Sequence, residues 1–425
     1  MNKELELSFK ILNNVYSNGA YASIELNKNY SEKLNFNLVT KIVYGVMDYD
    51  VKLGYFISLF YSKAPKAQVK TLLKLAAYVA MEIDSIPKYA IVNELVEIAK
   101  HSKLKPYTSF INAVLKKLVN SEFVLPDVKN KEKYLSVKHS KPVWFVDLLL
   151  KTLPYEEAIS YLSCELPTDT HIRINTIKNT DESFVAILDN RNIAYKPSFS
   201  DDSLFVDYSE LIRNKDLVGL YTPQGIPSMI VARNVKGKHI LDACSAPGGK
   251  AVYAATLNPE STVIACDIHE HRVKLIKDYK QNMGVTNLEA KKLDASKFNP
   301  EFENKFDCVL LDVPCSGLGV VSKKPDMLIK DEPNIGQIAD LQYKILENNA
   351  KYVQVGGTLI YSTCTITKEE NENILNKFLN EHQNFKIAEV ETFGVACTDN
   401  CGFKTFYPHI SKTEGFFIGK LVRYE

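Results

Sequence analysis

Leu241-Asp242-Ala243-Cys244-Ser245-Ala246-Pro247-Gly248-Gly249-Lys250 decides the fold of this 425-residue chain. A short apolar run, Ile240 to Ala243, enters a turn of small residues that a helical pattern follows, the strand, turn and helix order of a ligand cradle. Glycines in such a turn let the backbone approach a ligand closely, and the first helical turn presents free N–H donors. A phosphate-binding P-loop would need Gly at position 244 and Ser or Thr at 251; the chain has Cys244 and Ala251, which disfavours nucleoside triphosphate hydrolysis.

Working outward, Val263 to Asp267, Leu288 to Leu293, Phe306 to Asp312 and Thr358 to Tyr361 read as further strands separated by helices. That alternation predicts βαβ units and a mainly parallel, doubly wound, Rossmann-like α/β domain over 223–425, with its ligand at the strand carboxyl ends where a topological switch opens a crevice. Asp267 ends the second strand, where a carboxylate accepts from the ribose hydroxyls of an adenosine cofactor, and Asp294 is placed to meet the adenine edge. An isolated Asp at a strand end is often only a cap or turn residue. Three at successive ends, Asp267, Asp294 and Asp312, favour a site. The G-x-G-x-x-G of nicotinamide enzymes is absent, so S-adenosylmethionine fits better than NAD.

Two further strands run into Leu311-Asp312-Val313-Pro314-Cys315-Ser316-Gly317-Leu318-Gly319 and Tyr361-Ser362-Thr363-Cys364-Thr365. Cys315 and Cys364 therefore stand on the rim that carries the cofactor loop, whereas Cys164, Cys266 and Cys308 read as small buried hydrophobes. Cys397 and Cys401 form a lone C-x3-C pair without a second ligand cluster, so no metal is expected. The scattered cysteines of a chain whose start has no signal-peptide pattern are expected as thiols in the cytoplasm. The longest apolar stretch, Val143 to Leu150, is interrupted by Asp147 and far too short to span a bilayer.

Residues 1–128 read as an all-α domain. Val69, Leu72, Leu73, Ala76, Ala80 and Ile83 recur at helical spacing on one face, followed by a stripe at Val92, Leu95, Val96 and Ala99. Lysines 100, 103, 105, 116 and 117 with His101 and no acidic residue between them suit an RNA-facing edge and equally a solvated helix face. Residues 129–222 turn to a small α+β module, with Pro142 opening an apolar helix and His171 to Asn175 alternating as a strand. The formal net charge of +1 means that any nucleic-acid partner is held by a local patch.

The motifs D-A-C-x-A-P-G-G-K, D-x-P-C-S-G-x-G and S-T-C resemble those of the RNA cytosine-5 methyltransferase family. Val92-Asn93-Glu94-Leu95-Val96 and Phe110-Ile111-Asn112-Ala113-Val114-Leu115 resemble the helical RNA-binding domain of the Nus B type of antitermination factor. Together they make the whole chain similar to the members of the family that modify 16S rRNA. The resemblance implies S-adenosylmethionine held by Cys244, Ser245, Ala246, Pro247, Gly248, Gly249 and Lys250 with Asp267, Asp294 and Asp312. It implies Cys364 as a nucleophile that adds to carbon 6 of cytosine, Cys315 assisting breakdown of the adduct, and Asp312 at the cytosine edge. A thiolate at carbon 6 is what turns the unreactive carbon 5 into a nucleophile, and the target base must leave its stack to reach the pocket. Lys323 and Lys324 are candidate phosphate contacts, Arg272 braces the cofactor loop or faces solvent, and His409 lies near the closing hairpin. The chain departs from the family pattern at Thr365 (usually Ser), Gly225 (usually Asp) and Glu414 (usually Asp). A tRNA substrate for the same core and a catalytically idle RNA-binding factor are the competing readings; a DNA-type enzyme would attack with Cys315 instead. A monomer is expected.

Overall fold

The computed structural model describes residues 2–425. It divides into two compact units, Met1–Leu162 with Val321–Glu332, and Ser163–Val320 with Pro333–Glu425. The division at 162 falls inside the segment 129–222 that the sequence reads as one module. Three helices of that segment, Lys131–His139, Val143–Thr152 and Tyr155–Leu162, lie in the first unit, and its strands lie in the second.

The first unit is helical throughout. Its centre is the helix Ala67–Glu82, which buries Val69, Leu72, Leu73 and Ala76, as its periodicity predicts, and also Leu75, Ala77, Tyr78 and Val79. More than one face is covered because this helix packs against Lys3–Asn18, Phe36–Asp48, Asp50–Ser58, Lys88–Lys100 and Thr108–Leu118 together. An amphipathic pattern marks the face that must be buried, and the small Ala77 lets a neighbour cover another.

The second unit holds two sheets. The smaller comprises β1 (Thr170–Ile174), β2 (Tyr195–Pro197), β3 (Ser203–Val206) and β4 (Tyr221–Pro223) in the order β2-β3-β1-β4, all antiparallel. From β1 the fully buried Arg173 stacks 4.3 Å from the centre of the Tyr253 ring and donates from Nε to Gln224 Oε1 at 2.8 Å. Gln224 Nε2 in turn donates to the carbonyl of Gly249 at 3.4 Å, which ties the small sheet to the helix after the cofactor loop.

The larger sheet has nine strands: β5 (His239–Asp242), β6 (Thr262–Asp267), β7 (Leu288–Lys292), β8 (Phe306–Asp312), β9 (Val353–Thr363), β10 (Phe385–Ile387), β11 (Thr398–Asn400), β12 (Phe403–Phe406) and β13 (Phe416–Arg423). Strands β7-β6-β5-β8-β9 are parallel, as expected, and β13 adds antiparallel to β9 with β10 and β12 both paired to it. Residues alternate between two cores: Ile240, Cys308, Leu310 and Ile360 face one, Leu241, Val309, Leu311 and Leu359 the other. Such runs without polar alternation belong to strands covered on both faces. Chain order reverses between β5 and β8, so the crevice lies between their carboxyl ends. The cofactor loop and Asp312 emerge there.

Candidate active site

The turn after β5 is held by its own backbone. Ser245 N–H donates to the carbonyl of Cys266 at 2.7 Å, Gly248 N–H donates to the carbonyl of Ser245 at 2.7 Å, and Gly248 adopts φ 108° at the start of the helix Gly249–Leu257. Arg272 braces it: one guanidinium nitrogen donates to the Ala246 carbonyl at 3.0 Å and another lies 3.2 Å from Asp267 Oδ2. The backbone carbonyl of Asp267 accepts from Leu293 N–H at 3.0 Å, which sets Asp267 beside the chain that leads into Asp294. Asp294 itself closes a turn, accepting from Ser296 N–H at 3.1 Å and Ser296 Oγ at 2.6 Å, with Lys297 Nζ at 3.2 Å.

Across the crevice stands a tight cluster. Lys250 Nζ is 2.7 Å from Asp312 Oδ2, Ser362 Oγ donates to Asp312 Oδ1 at 2.9 Å, and the ammonium lies 5.2 Å from the centre of the Phe416 ring. Burial alone would lower the Lys250 pKa; the facing Asp312 carboxylate, with Cys364 and Asp242 adding to it, raises it instead. Cys315 Sγ and Cys364 Sγ are 3.3 Å apart. The contact with Cys364, burial and the charges of Glu370 and Asp312 hold the Cys315 thiol well above its ordinary range, and either sulfur can donate to the other. Cys244 is also pushed up, by burial and by Asp242, Asp312 and Asp267, and stays a thiol.

The loops carrying the two cysteines meet at a glycine. Gly319 N–H donates to the Cys364 carbonyl at 3.0 Å and Gly415 N–H to the Gly319 carbonyl at 2.7 Å. A Cβ on Gly319 would stand 2.1 Å from the carbonyl oxygen of Gly415, so no larger residue fits this crossing. Gly225 and Glu414, two departures from the family pattern, share one space: a Cβ at 225 would lie 1.5 Å from Glu414 Oε1. Thr365, the third departure, pairs its hydroxyl with Ser316 Oγ at 2.8 Å.

The structure thus brings together Lys250, Asp312, Cys315 and Cys364, and sets Asp267 and the 244–249 turn on the other side of the same crevice. It places Lys323 and Lys324 with the helical unit, in the segment Val321–Glu332. Among the described residues no group of His, Cys, Asp or Glu is arranged to hold a metal, and no helix is long and apolar enough to cross a membrane. Two residues escaped the sequence reading. Asp242 reads in the sequence only as part of a strand end, yet it is fully buried and its pKa is pushed up to about 7 by burial and by the charge of Asp312. Glu370 sits in a Lys-Glu-Glu-Asn-Glu run that reads as solvated charge, yet it is fully buried behind both cysteines.

Residues 229–422 match the family model for 16S rRNA methyltransferase RsmB/F, and residues 2–120 match the NusB family. The chain is 32% identical over 426 residues to the probable ribosomal RNA small subunit methyltransferase B of Bacillus subtilis, covering 96% of this chain and 94% of that one. The chain belongs to the 16S rRNA methyltransferase RsmB/F family. It is 28% identical to the ribosomal RNA small subunit methyltransferase B of Photorhabdus laumondii, with 98% of each chain covered. The crystal structure of PH0851 is similar over 100% of this chain and 99% of that one, with a TM-score of 0.83 and 25% identity. NSun6 from Pyrococcus horikoshii, solved with SFG, shares the fold over 67% of this chain and 98% of that one, with a TM-score of 0.60 and 22% identity.

S-adenosylmethionine is the cofactor of this RsmB/F-family methyltransferase, and the crevice suits it. Asp242 Oδ2 and Ser245 Oγ are buried there with no hydrogen-bond partner but each other among the described residues. Buried polar atoms are seldom left so, and a ligand rich in hydroxyl and amino groups supplies what they lack. A carboxyl-lined crevice also attracts the cationic sulfonium and ammonium groups of that molecule.

Proposed function

We propose that the protein transfers the methyl group of S-adenosylmethionine to carbon 5 of a cytosine in 16S rRNA, through a covalent bond between Cys364 Sγ and cytosine carbon 6. The observation that carries this reading is the pair of sulfurs 3.3 Å apart, next to the Lys250–Asp312 ion pair. Cys364, Cys315 and Asp312 are the catalytic residues in it. The cofactor, held by residues 244–250 with Asp267, Asp294 and Asp312, supplies an electrophilic methyl group.

The chain's own residues do the rest. Lys250 places a positive charge near Cys364 and favours its thiolate form. The thiolate adds to carbon 6, and the electron pair that this pushes through the ring makes carbon 5 nucleophilic. Asp312, steadied by Lys250 and Ser362, faces the cytosine edge. Once carbon 5 has gained its methyl, a base removes the carbon 5 proton, the ring double bond re-forms and the Cys364 thiolate leaves. Cys315, held as a thiol 3.3 Å from Cys364, is the group placed to hydrogen-bond the departing thiolate. The helical unit, with lysines 100, 103, 105, 116 and 117, binds the rRNA in this reading, and the cytosine is flipped from its stack. The protein acts as a cytoplasmic monomer.

The test is transfer of labelled methyl to unmodified 16S rRNA, with tRNA in parallel, by the wild type, Cys364→Ala and Cys315→Ala. Incorporation into rRNA as 5-methylcytosine, lost by at least about 10³-fold in Cys364→Ala, supports the reading. An active Cys364→Ala with a dead Cys315→Ala overturns the assignment of the nucleophile. Activity on tRNA alone overturns the substrate.

A further inference from the structure

Behind the two cysteines lies a closed polar network for which the proposed reaction has no use. Its hub is Glu370, fully buried in the turn before the helix Glu372–Glu381. Oε1 accepts from the backbone N–H of Ser316 at 2.8 Å and from Gln342 Nε2 at 3.0 Å. Oε2 accepts from Ser316 Oγ at 2.5 Å and from Thr367 Oγ1 at 2.8 Å. Gln342 Nε2 also donates to the Pro314 carbonyl at 2.9 Å. The next residue, Asn371, accepts from Thr363 Oγ1 at 2.6 Å and donates to the Thr365 carbonyl at 3.2 Å. Through the Ser316–Thr365 hydroxyl pair the two halves join. Of the chain neighbours of the two cysteines, Ser316 is gripped by Glu370, Thr363 and Thr365 by Asn371, and Pro314 by Gln342, itself bound to Glu370.

Every partner of the Glu370 carboxylate named here is neutral. Removing a carboxylate from water without a cation beside it is costly, and an apolar side chain of similar volume would satisfy packing at less expense. A purely structural filler is therefore a poor account of this position.

We propose that Glu370 is the positioning residue of this active site: through Ser316, Gln342 and Thr367 it holds the Cys315 loop against the Cys364 loop, so that the Cys315 thiol faces the attacking sulfur. Its negative charge acts in the same direction, favouring the protonated form of Cys315. The inference rests on the reading of Cys364 as the nucleophile.

The experiment is steady-state methyl transfer by the full chain to 16S rRNA over a range of pH, for wild type, Glu370→Gln, Ser316→Ala and Cys364→Ala, with thermal melts alongside. Glu370→Gln loses kcat by about 10- to 100-fold, the cost of misplacing a reacting group by a fraction of an ångström to an ångström, while both KM values stay close to wild type. The alkaline limb of its kcat profile moves to lower pH, because removing a negative charge near Cys315 eases ionisation of the thiol that must stay protonated. Ser316→Ala keeps that charge and the backbone bond, so it loses kcat by roughly 3- to 10-fold with the limb in place. A Glu370→Gln enzyme with wild-type kcat and an unmoved limb overturns the proposal, as does a loss confined to KM. If Glu370→Gln does not fold, Ser316→Ala decides, and wild-type kcat there overturns it. An active Cys364→Ala overturns the nucleophile instead; a dead Cys364→Ala beside a wild-type Glu370→Gln overturns only the positioning role.

Discussion

The interiors of the central strands and their carboxyl ends hold the same residue type in opposite circumstances. Cys266 in β6 and Cys308 in β8 are fully buried, face opposite cores and have thiols pushed up by desolvation, Cys266 to about 12. Cys315 and Cys364 lie beyond the ends of β8 and β9, partly exposed, with their sulfurs in contact beside an ion pair. A cysteine inside a strand is surrounded by side chains that exclude both water and substrate, so it packs as a small hydrophobe. One placed just past the strand end at the switch of chain order meets the crevice where ligands enter. In the proposed mechanism, reactivity follows from position along the strand more than from residue type.

Lys250 is where the strand ends should be most sensitive to substitution. Lys250→Met keeps the length of the side chain and removes the charge that pairs with Asp312 and that, in the proposed mechanism, favours the Cys364 thiolate. Turnover is expected to fall by about 10²-fold, measured as initial rates of methyl transfer at saturating RNA. Rates within twofold of wild type would show that the strand ends work without this charge.

An effect on stability and not on turnover tests whether the end of β5 is tuned for a ligand. The Asp242 carboxyl, at about 7 in the folded protein, lies near 3.9 when unfolded. Between those values the folded state holds a proton that the unfolded state has lost, so stability declines as pH rises through about 4 to 7 and levels off above. Asp242→Asn removes that decline. Its stability relative to wild type should therefore grow by about 2–4 kcal/mol between pH 4 and pH 8 in the absence of cofactor, read from urea unfolding at both pH values. Parallel profiles for the two proteins would show that the burial of Asp242 carries no such cost.

The smallest effect sharpens the other side of the contrast. Cys308→Ala is expected to leave methyl transfer within twofold of wild type and to lower stability by about 1 kcal/mol, seen as a modest drop in melting temperature. A large loss of turnover would mean that strand interiors and ends are not as separate as their surroundings indicate.

Much of the architecture was legible because it is local. The apolar runs at 240–243, 263–267 and 306–312 coincide with β5, β6 and β8 to within a residue, since period and turn chemistry act over a few positions. The antiparallel extension through β10 to β13 was not, because β13 pairs with β9 across more than fifty residues of chain. Among the site residues, the cysteines and the aspartates at the strand ends announced themselves by following strands. Glu370 did not: a Glu among Lys368, Glu369 and Glu372 carries no mark of burial until Ser316, Gln342 and Thr367 are brought around it.

The order of residues by itself determined that a strand-turn-helix cradle, two cysteines just past strand ends and a helical first unit belong to this chain. Each of these depends on spacing along a single strand, turn or helix. Only the tertiary structure decided that the two sulfurs touch, that Lys250 serves Asp312, and that Asp242 and Glu370 are buried acids with distinct surroundings. Those facts depend on distances between residues tens of positions apart. Such distances are set when the chain order reverses between β5 and β8 and the loops of β8 and β9 close on the Gly319–Gly415 crossing, where backbones meet and no side chain fits.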